Sequence, residues 1–195
     1  DPGPDGTPSV TGYEEGLFDL RGGEGVGLLV GNGLGGGSLI NASVAEMPDP
    51  EHLASLPLPA AWRNYFRHQD FLDDQAEVEP LLGVVAPVAP ADERKYAALQ
   101  RLGQAVGGKA VPARLTVRFD AGANAVGVHQ GACLRCGNCV TGCNVGAKNS
   151  LDHTLLSLAA ARGATLVTGA SVVSVRPGEA VTGRRWIVKV RRTRA

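Results

Sequence analysis

Val30-Gly-Asn-Gly-Leu-Gly-Gly-Gly-Ser-Leu-Ile-Asn-Ala-Ser-Val44 is the stretch whose reading decides the fold. Five glycines fall within residues 31–37. Glycine at this density brings backbone N–H groups up to a ligand with no side chain between, and it permits the positive φ values of an anion-binding nest. An apolar run at 26–30 leads into the loop and predicts a short buried strand. Strand, glycine loop, then Ser38 and Asn41 set among apolar residues is the layout of a phosphate or cofactor cradle. The alternative is a glycine-rich turn with no ligand.

Gly31-x-Gly33-x-x-Gly36 also satisfies the dinucleotide fingerprint as a pattern. That fingerprint needs a long helix after its third glycine and an acidic residue about 20 positions on. Pro48 and Pro50 leave room only for a stub. The stretch therefore predicts a loop lying beside a cofactor in preference to a first βα turn. An NAD(P)-dependent oxidoreductase using the three glycines directly is the competing assignment.

Outward from the loop, residues 1–24 are rich in Gly, Pro and Asp and read as an irregular lead-in. Asp49-Pro50-Glu51 predicts a short helix, with a carboxylate N-cap and proline at its first position, ending near Leu56. Trp62, Tyr65, Phe66 and Leu72 keep helical spacing through 61–74, as core packing. Residues 80–90 read as a proline-punctuated loop, and 90–107 as an amphipathic helix with Tyr96, Leu99, Leu102 and Val106 on one stripe. Residues 114–119 alternate strictly and predict a half-buried strand. Asn149 or Ser150 is the expected cap of a helix that stops at Gly163. Residues 165–167 and 171–175 are strand-like, Pro177-Gly178 breaks the pattern, and 186–190 returns antiparallel.

The chain has 195 residues, 44% of them hydrophobic, and a formal net charge of zero. That suits one domain, or one and a half, with a real core, and it gives no general attraction to nucleic acid. Six of the 19 basic residues fall in the last 12 positions, within a strand-like alternation that predicts a solvated face. No apolar run reaches membrane-spanning length. The chain begins Asp1-Pro2-Gly3-Pro4, without an initiator methionine, and ends directly after a strand pattern, so an internal fragment is expected. The compartment stays open, leaning towards the cytoplasm.

All four cysteines lie within 11 residues: Cys133, Cys136, Cys139 and Cys143, spaced C-x2-C-x2-C-x3-C. This is the bacterial ferredoxin run, with Asn144 where proline is usual. Two-residue gaps let thiolates curl round one cluster, and Gly137 and Gly142 permit the turns. With no second run, a single cluster needs Cys143 to bend back, or takes a three-iron form. Zinc, reduced thiols and a local disulfide such as Cys136–Cys139 are the other readings. His52, His68, His129 and His153 are scattered, and no acid/base pair is visible.

With both motifs in hand, the chain resembles the glucose–methanol–choline (GMC) oxidoreductases, and within them the bacterial cholesterol oxidase-like branch. Residues 33–42 look like the family's second flavin-contact loop. The cysteine run, continuing into Gly146-Ala-Lys-Asn-Ser-Leu-Asp152, is similar to a cysteine-rich signature of that branch. Residues 155–175 resemble its helix and following strand. The spacing between the three stretches agrees, so the resemblance covers nearly the whole chain.

The resemblance implies an α/β fold, mixed α+β in detail: an incomplete FAD-binding, Rossmann-like GMC fold with a helical cap. Residues 1–45 would belong to the FAD-binding domain, 46–131 to a cap over the substrate pocket, and 132–195 would return to the FAD-binding domain. Gly35, Gly36, Gly37 and Ser38 would lie along the pyrophosphate and ribityl chain of FAD, Asn41 near the isoalloxazine, and the Val172 backbone at the adenine edge.

The implied activity is oxidation of an alcohol or sterol-like CH–OH group by hydride transfer to flavin. The catalytic histidine is expected outside this chain, which alone would neither bind FAD well nor turn over. An iron–sulfur cluster on the four cysteines would pass electrons singly to an acceptor protein or quinone. A small iron–sulfur electron-transfer module is the remaining alternative.

Overall fold

The computed structural model describes residues 16–23, 25–86, 93–178 and 185–193. The order of elements is β1 (Phe18–Gly23), β2 (Val26–Gly31), a 3-10 turn (Gly36–Leu39), α1 (Pro50–Ser55), α2 (Ala60–Arg67), α3 (Gln69–Leu82), α4 (Arg94–Ala105), β3 (Gly122–Ala123), β4 (His129–Gln130), a second 3-10 turn (Asn138–Thr141), α5 (Leu155–Ala161), β5 (Ala170–Pro177) and β6 (Trp186–Arg192). The fold is mixed α+β, and its described sheets are three two-stranded antiparallel ribbons.

β2 forms where the apolar run predicts it, with two differences. The lead-in is not irregular throughout, because Phe18-Asp-Leu-Arg alternates well enough to give β1, paired with β2 from Phe18↔Gly31 to Gly23↔Val26. Nor is β2 buried: Val26, Leu28 and Leu29 are exposed, since a two-stranded ribbon has no layer packed over its faces.

α1 follows its sequence signals closely. The Asp49 side chain accepts the Glu51 amide at 3.0 Å, and Pro50 opens the helix. The next helical pattern is cut in two at His68, whose backbone is extended and whose Nδ1 accepts the Asp70 amide at 3.3 Å. The break folds Phe71 back onto Tyr65 and Phe66, with ring centroids 5.6 and 5.2 Å away. Edge-to-face contacts of this kind contribute about 1 kcal/mol each beyond burial.

α3 continues through Pro80, where a loop is expected from sequence. Pro80 lies in the last turn, and Gly83, left-handed at φ 60°, closes the helix by donating to Pro80 O at 3.0 Å while Val84 donates to Glu79 O at 3.1 Å. α4 lies within the helix expected at 90–107; residues 90–92 of that expectation fall outside the described residues.

The centre of the structure is the 114–119 segment. It is not a ladder strand, because its residues pair with different neighbours in turn. Leu115 exchanges two 2.8 Å backbone bonds with Val85, and Thr116 N donates to Ser43 O at 2.8 Å. Arg118 N donates to Ala147 O at 2.8 Å, and Asn149 N to Thr116 O at 2.9 Å. Val117 is buried in the middle at 3% exposure. A hub of this kind ties together segments 30 to 70 residues away in either direction, so its alternation registers burial and misses the pairing.

The expected cap at Asn149 or Ser150 also moves. Residues 151–154 form turns, and α5 begins after Thr154, whose hydroxyl donates to Ser150 O at 3.1 Å. Residues 165–167 pair with nothing in a described sheet, whereas β5 and β6 form the predicted antiparallel pair, with an irregularity between Val172 and Ser174.

Candidate functional site

The glycine loop folds as one tight turn. Gly36 N donates to Gly33 O at 3.0 Å, Ser38 N to Gly35 O at 3.1 Å, and Asn41 N to Gly37 O at 3.1 Å. Gly31 and Gly35 are the positions where glycine is required. A Cβ on Gly31 would stand 2.1 Å from Gly36 O, and Gly35 is left-handed at φ 108° with Ser38 Oγ 3.0 Å from where its Cβ would be. At Gly36, itself left-handed at φ 53°, and at Gly37 a Cβ would meet open space. Their backbones form a side-chain-free surface, which fits a phosphate-bearing cofactor lying along the loop.

The turn after Gly36 is a four-residue 3-10 helix, and the next helix starts only at Pro50. The dinucleotide fingerprint therefore fails in its structural half, because no α-helix N-terminus faces the third glycine.

Residues 146–151 fasten this loop from behind. Lys148 is 3% exposed, and its Nζ donates to Leu39 O at 2.9 Å, Asn41 O at 2.8 Å and Cys139 O at 2.8 Å. All three ammonium hydrogens are thus used. Burial pushes its pKa below the usual 10.5, while the Cys139 and Cys143 thiols and the Asp152 carboxylate pull the other way. Three residues on, Leu151 N donates to Ser38 Oγ at 2.9 Å, and that hydroxyl donates to Gly35 O at 2.7 Å. Gln130 supports the same strip, with Nε2 donating to Gly146 O and Lys148 O, both at 3.1 Å.

This places the residues singled out from sequence. Gly35, Gly36, Gly37 and Ser38 share one turn. Asn41 follows it, exposed, with its Oδ1 accepting Ser43 N at 3.1 Å. Val172 lies on β5 opposite Val190, with an exposed side chain. Lys148 is the residue the sequence does not announce. Its one signal is a single lysine among Gly, Ala, Asn and Ser, and nothing in that pattern says the ammonium turns inward.

Ser43 marks the loop's exit. It is fully buried, non-glycine at φ 59°, and its Oγ has no partner. Beyond it opens a cavity of about 650 Å3. Its walls include Ala42 and Ser43 at the end of the loop, and Leu115, Val117 and Phe119 from the hub. The four cysteines line it as well.

The four cysteines are free thiols, so the local disulfide is not formed, and among the described residues no group of three or more His, Cys, Asp or Glu side chains is arranged to hold a metal ion. Gly137 and Gly142 flank a 3-10 turn in which Cys139 O accepts from Lys148 Nζ, and Cys133 Sγ accepts Arg135 N at 3.4 Å. This arrangement gives no support to an iron–sulfur cluster or zinc on Cys133, Cys136, Cys139 and Cys143. Among the described residues no helix is long and apolar enough to cross a membrane.

The GMC oxidoreductase family model matches residues 14–187. A cholesterol oxidase of Acinetobacter baumannii is 32% identical over 209 aligned positions, covering 91% of this chain and 36% of that protein. The chain thus spans about a third of the length of that relative. No solved structure matches it. A glycine turn with an open backbone face, fastened by the Gly146–Asp152 strip, together with a family match over nearly the whole sequence, places this chain in the GMC oxidoreductase family.

Proposed function

We propose that this chain is the flavin-loop and pocket portion of an FAD-dependent oxidoreductase that oxidises the CH–OH group of an apolar, sterol-like alcohol. The observation that carries this is the continuity of two surfaces. The open backbone of Gly36 and Gly37 leads through Asn41 to Ala42 and Ser43, which are already wall of the 650 Å3 cavity. A cofactor along the loop and a substrate in the cavity would meet at that junction.

In this reading Gly35, Gly36, Gly37 and Ser38 lie along the pyrophosphate and ribityl chain, with the side-chain-free backbone of Gly36 and Gly37 against it, and Asn41 lies towards the ring. The Val172 backbone, on the outer ribbon, takes the adenine edge. FAD supplies the hydride acceptor. Leu115, Val117 and Phe119 exclude water and hold an apolar body of a size that suits about 650 Å3. None of His52, His68, His129 and His153 lines the cavity, so its walls supply no imidazole base. Residues 46–131 act as the cap, and 1–45 and 132–195 as the cofactor side.

The test is the absorption spectrum and released cofactor of the purified full-length protein that carries this chain, followed by dye reduction with a panel of sterols, long-chain alcohols and sugars. FAD in the extract and turnover of the apolar alcohols is the expected result. A protein without flavin, or one that reduces dye only with sugars, would overturn it.

A further inference from the structure

Lys148 is chemically unusual in its setting. A buried ammonium normally needs a carboxylate, because desolvating a lone charge costs several kcal/mol. Here none of the described ion pairs includes it. Its hydration is replaced by three backbone carbonyls from two turns, Leu39 and Asn41 on one side and Cys139 on the other. The turns are about 100 residues apart in sequence. The carbonyl trio compensates the ammonium by dipoles, with the Asp152 carboxylate close enough to favour its charged form, so the positive charge is retained and fixed against the end of the glycine loop at Leu39 and Asn41.

We propose that Lys148 is a positioning residue for the flavin: it locks the glycine loop to the cysteine turn, and its buried ammonium raises the reduction potential of the cofactor on that loop. The second half rests on the FAD reading above; the first does not. A fixed cation favours the more negative, reduced form of a neighbouring redox group over the oxidised form. Met at this position has nearly the volume of Lys and carries neither donors nor charge. Arg keeps the charge but cannot offer three donors from one atom. Gln130→Ala loosens the strip that carries Lys148 and leaves the charge in place.

The experiment compares wild type, K148M, K148R and Q130A in the full-length protein by amide hydrogen exchange and by the midpoint potential of bound FAD. K148M should lose protection in residues 39–42 and 138–141 together. Its reduction equilibrium should move about tenfold towards oxidised flavin, which is about 30 mV for a two-electron couple. K148R and Q130A should loosen the loop or its supporting strip and keep the wild-type potential. Unchanged exchange in both segments of K148M would overturn the lock, with or without flavin in the sample. A wild-type potential in flavin-loaded K148M, or a K148M-sized shift in Q130A, would overturn the charge assignment. If K148M does not fold, a tenfold shift in K148R overturns it equally. Full-length wild-type protein that carries no FAD refutes the functional reading, and the exchange data then judge the lock alone.

Discussion

Leu151 N and Ser38 Oγ lie 2.9 Å apart, joined by a hydrogen bond across 113 residues of sequence. The same hydroxyl donates to Gly35 O at 2.7 Å, so one small side chain holds its own turn closed and fixes that turn to the strip before α5. S38A leaves the part-buried Leu151 amide without its acceptor. The expected cost is about 1–2 kcal/mol of unfolding free energy, read as a lower urea midpoint at unchanged slope. S38T, which keeps the hydroxyl, should recover part of it.

Ser43 offers the opposite case. It is held at φ 59° with a buried hydroxyl that bonds to nothing. S43G removes both the left-handed strain and the unpaired oxygen, at the cost of added freedom in the unfolded chain. A net gain of about 1 kcal/mol is expected, seen as a raised thermal midpoint. A lower midpoint would mean that the hydroxyl contributes packing that outweighs both effects.

Gly31 is where strand β2 meets the loop, and the space for a side chain is already taken by Gly36 O. G31A forces the turn away from the strand end. Destabilisation of about 3 kcal/mol is expected, together with loss of flavin from the purified protein. G27A, two turns of the pleat earlier with open space at its Cβ, is the control that should change little.

The acid limb of stability should depend on Glu79. Its carboxylate takes a two-pronged hydrogen bond from Arg114, which holds its pKa below the usual 4.5. A carboxyl with a depressed folded pKa adds stability that is fully present above 4.5 and disappears as pH falls through the folded value. Urea midpoints measured from pH 7 down to pH 2 should therefore fall less steeply in E79Q than in wild type.

Lys148 should act at the alkaline end with the same sign of slope. Burial depresses its folded pKa below 10.5, so the unfolded chain binds more protons in the interval between the two values. Stability then rises with pH across that interval. Urea midpoints from pH 8 to 11 should show this upward contribution in wild type and not in K148M.

Much of the molecule is legible in its sequence because local chemistry fixes it. Asp49-Pro50-Glu51 starts α1 through a side-chain cap, Pro177-Gly178 breaks β5, and alternating valines form the last ribbon. The glycine spacing forecasts a turn without a helix behind it, since Pro48 and Pro50 forbid one nearby. Family membership follows from the order and spacing of the same motifs.

What the tertiary structure alone decides is where charges and thiols face. The C-x2-C-x2-C-x3-C spacing is compatible with a cluster, but where four thiols face depends on the path of the backbone between them, on which Lys148 Nζ holds Cys139 O. Likewise, alternation at 114–119 says that one side is buried and cannot say that three distant segments compete for its hydrogen bonds. Local pattern encodes burial and turns; long-range backbone hydrogen bonds, made between residues with no sequence signature of their own, assemble the loop, the ammonium and the cavity into one site.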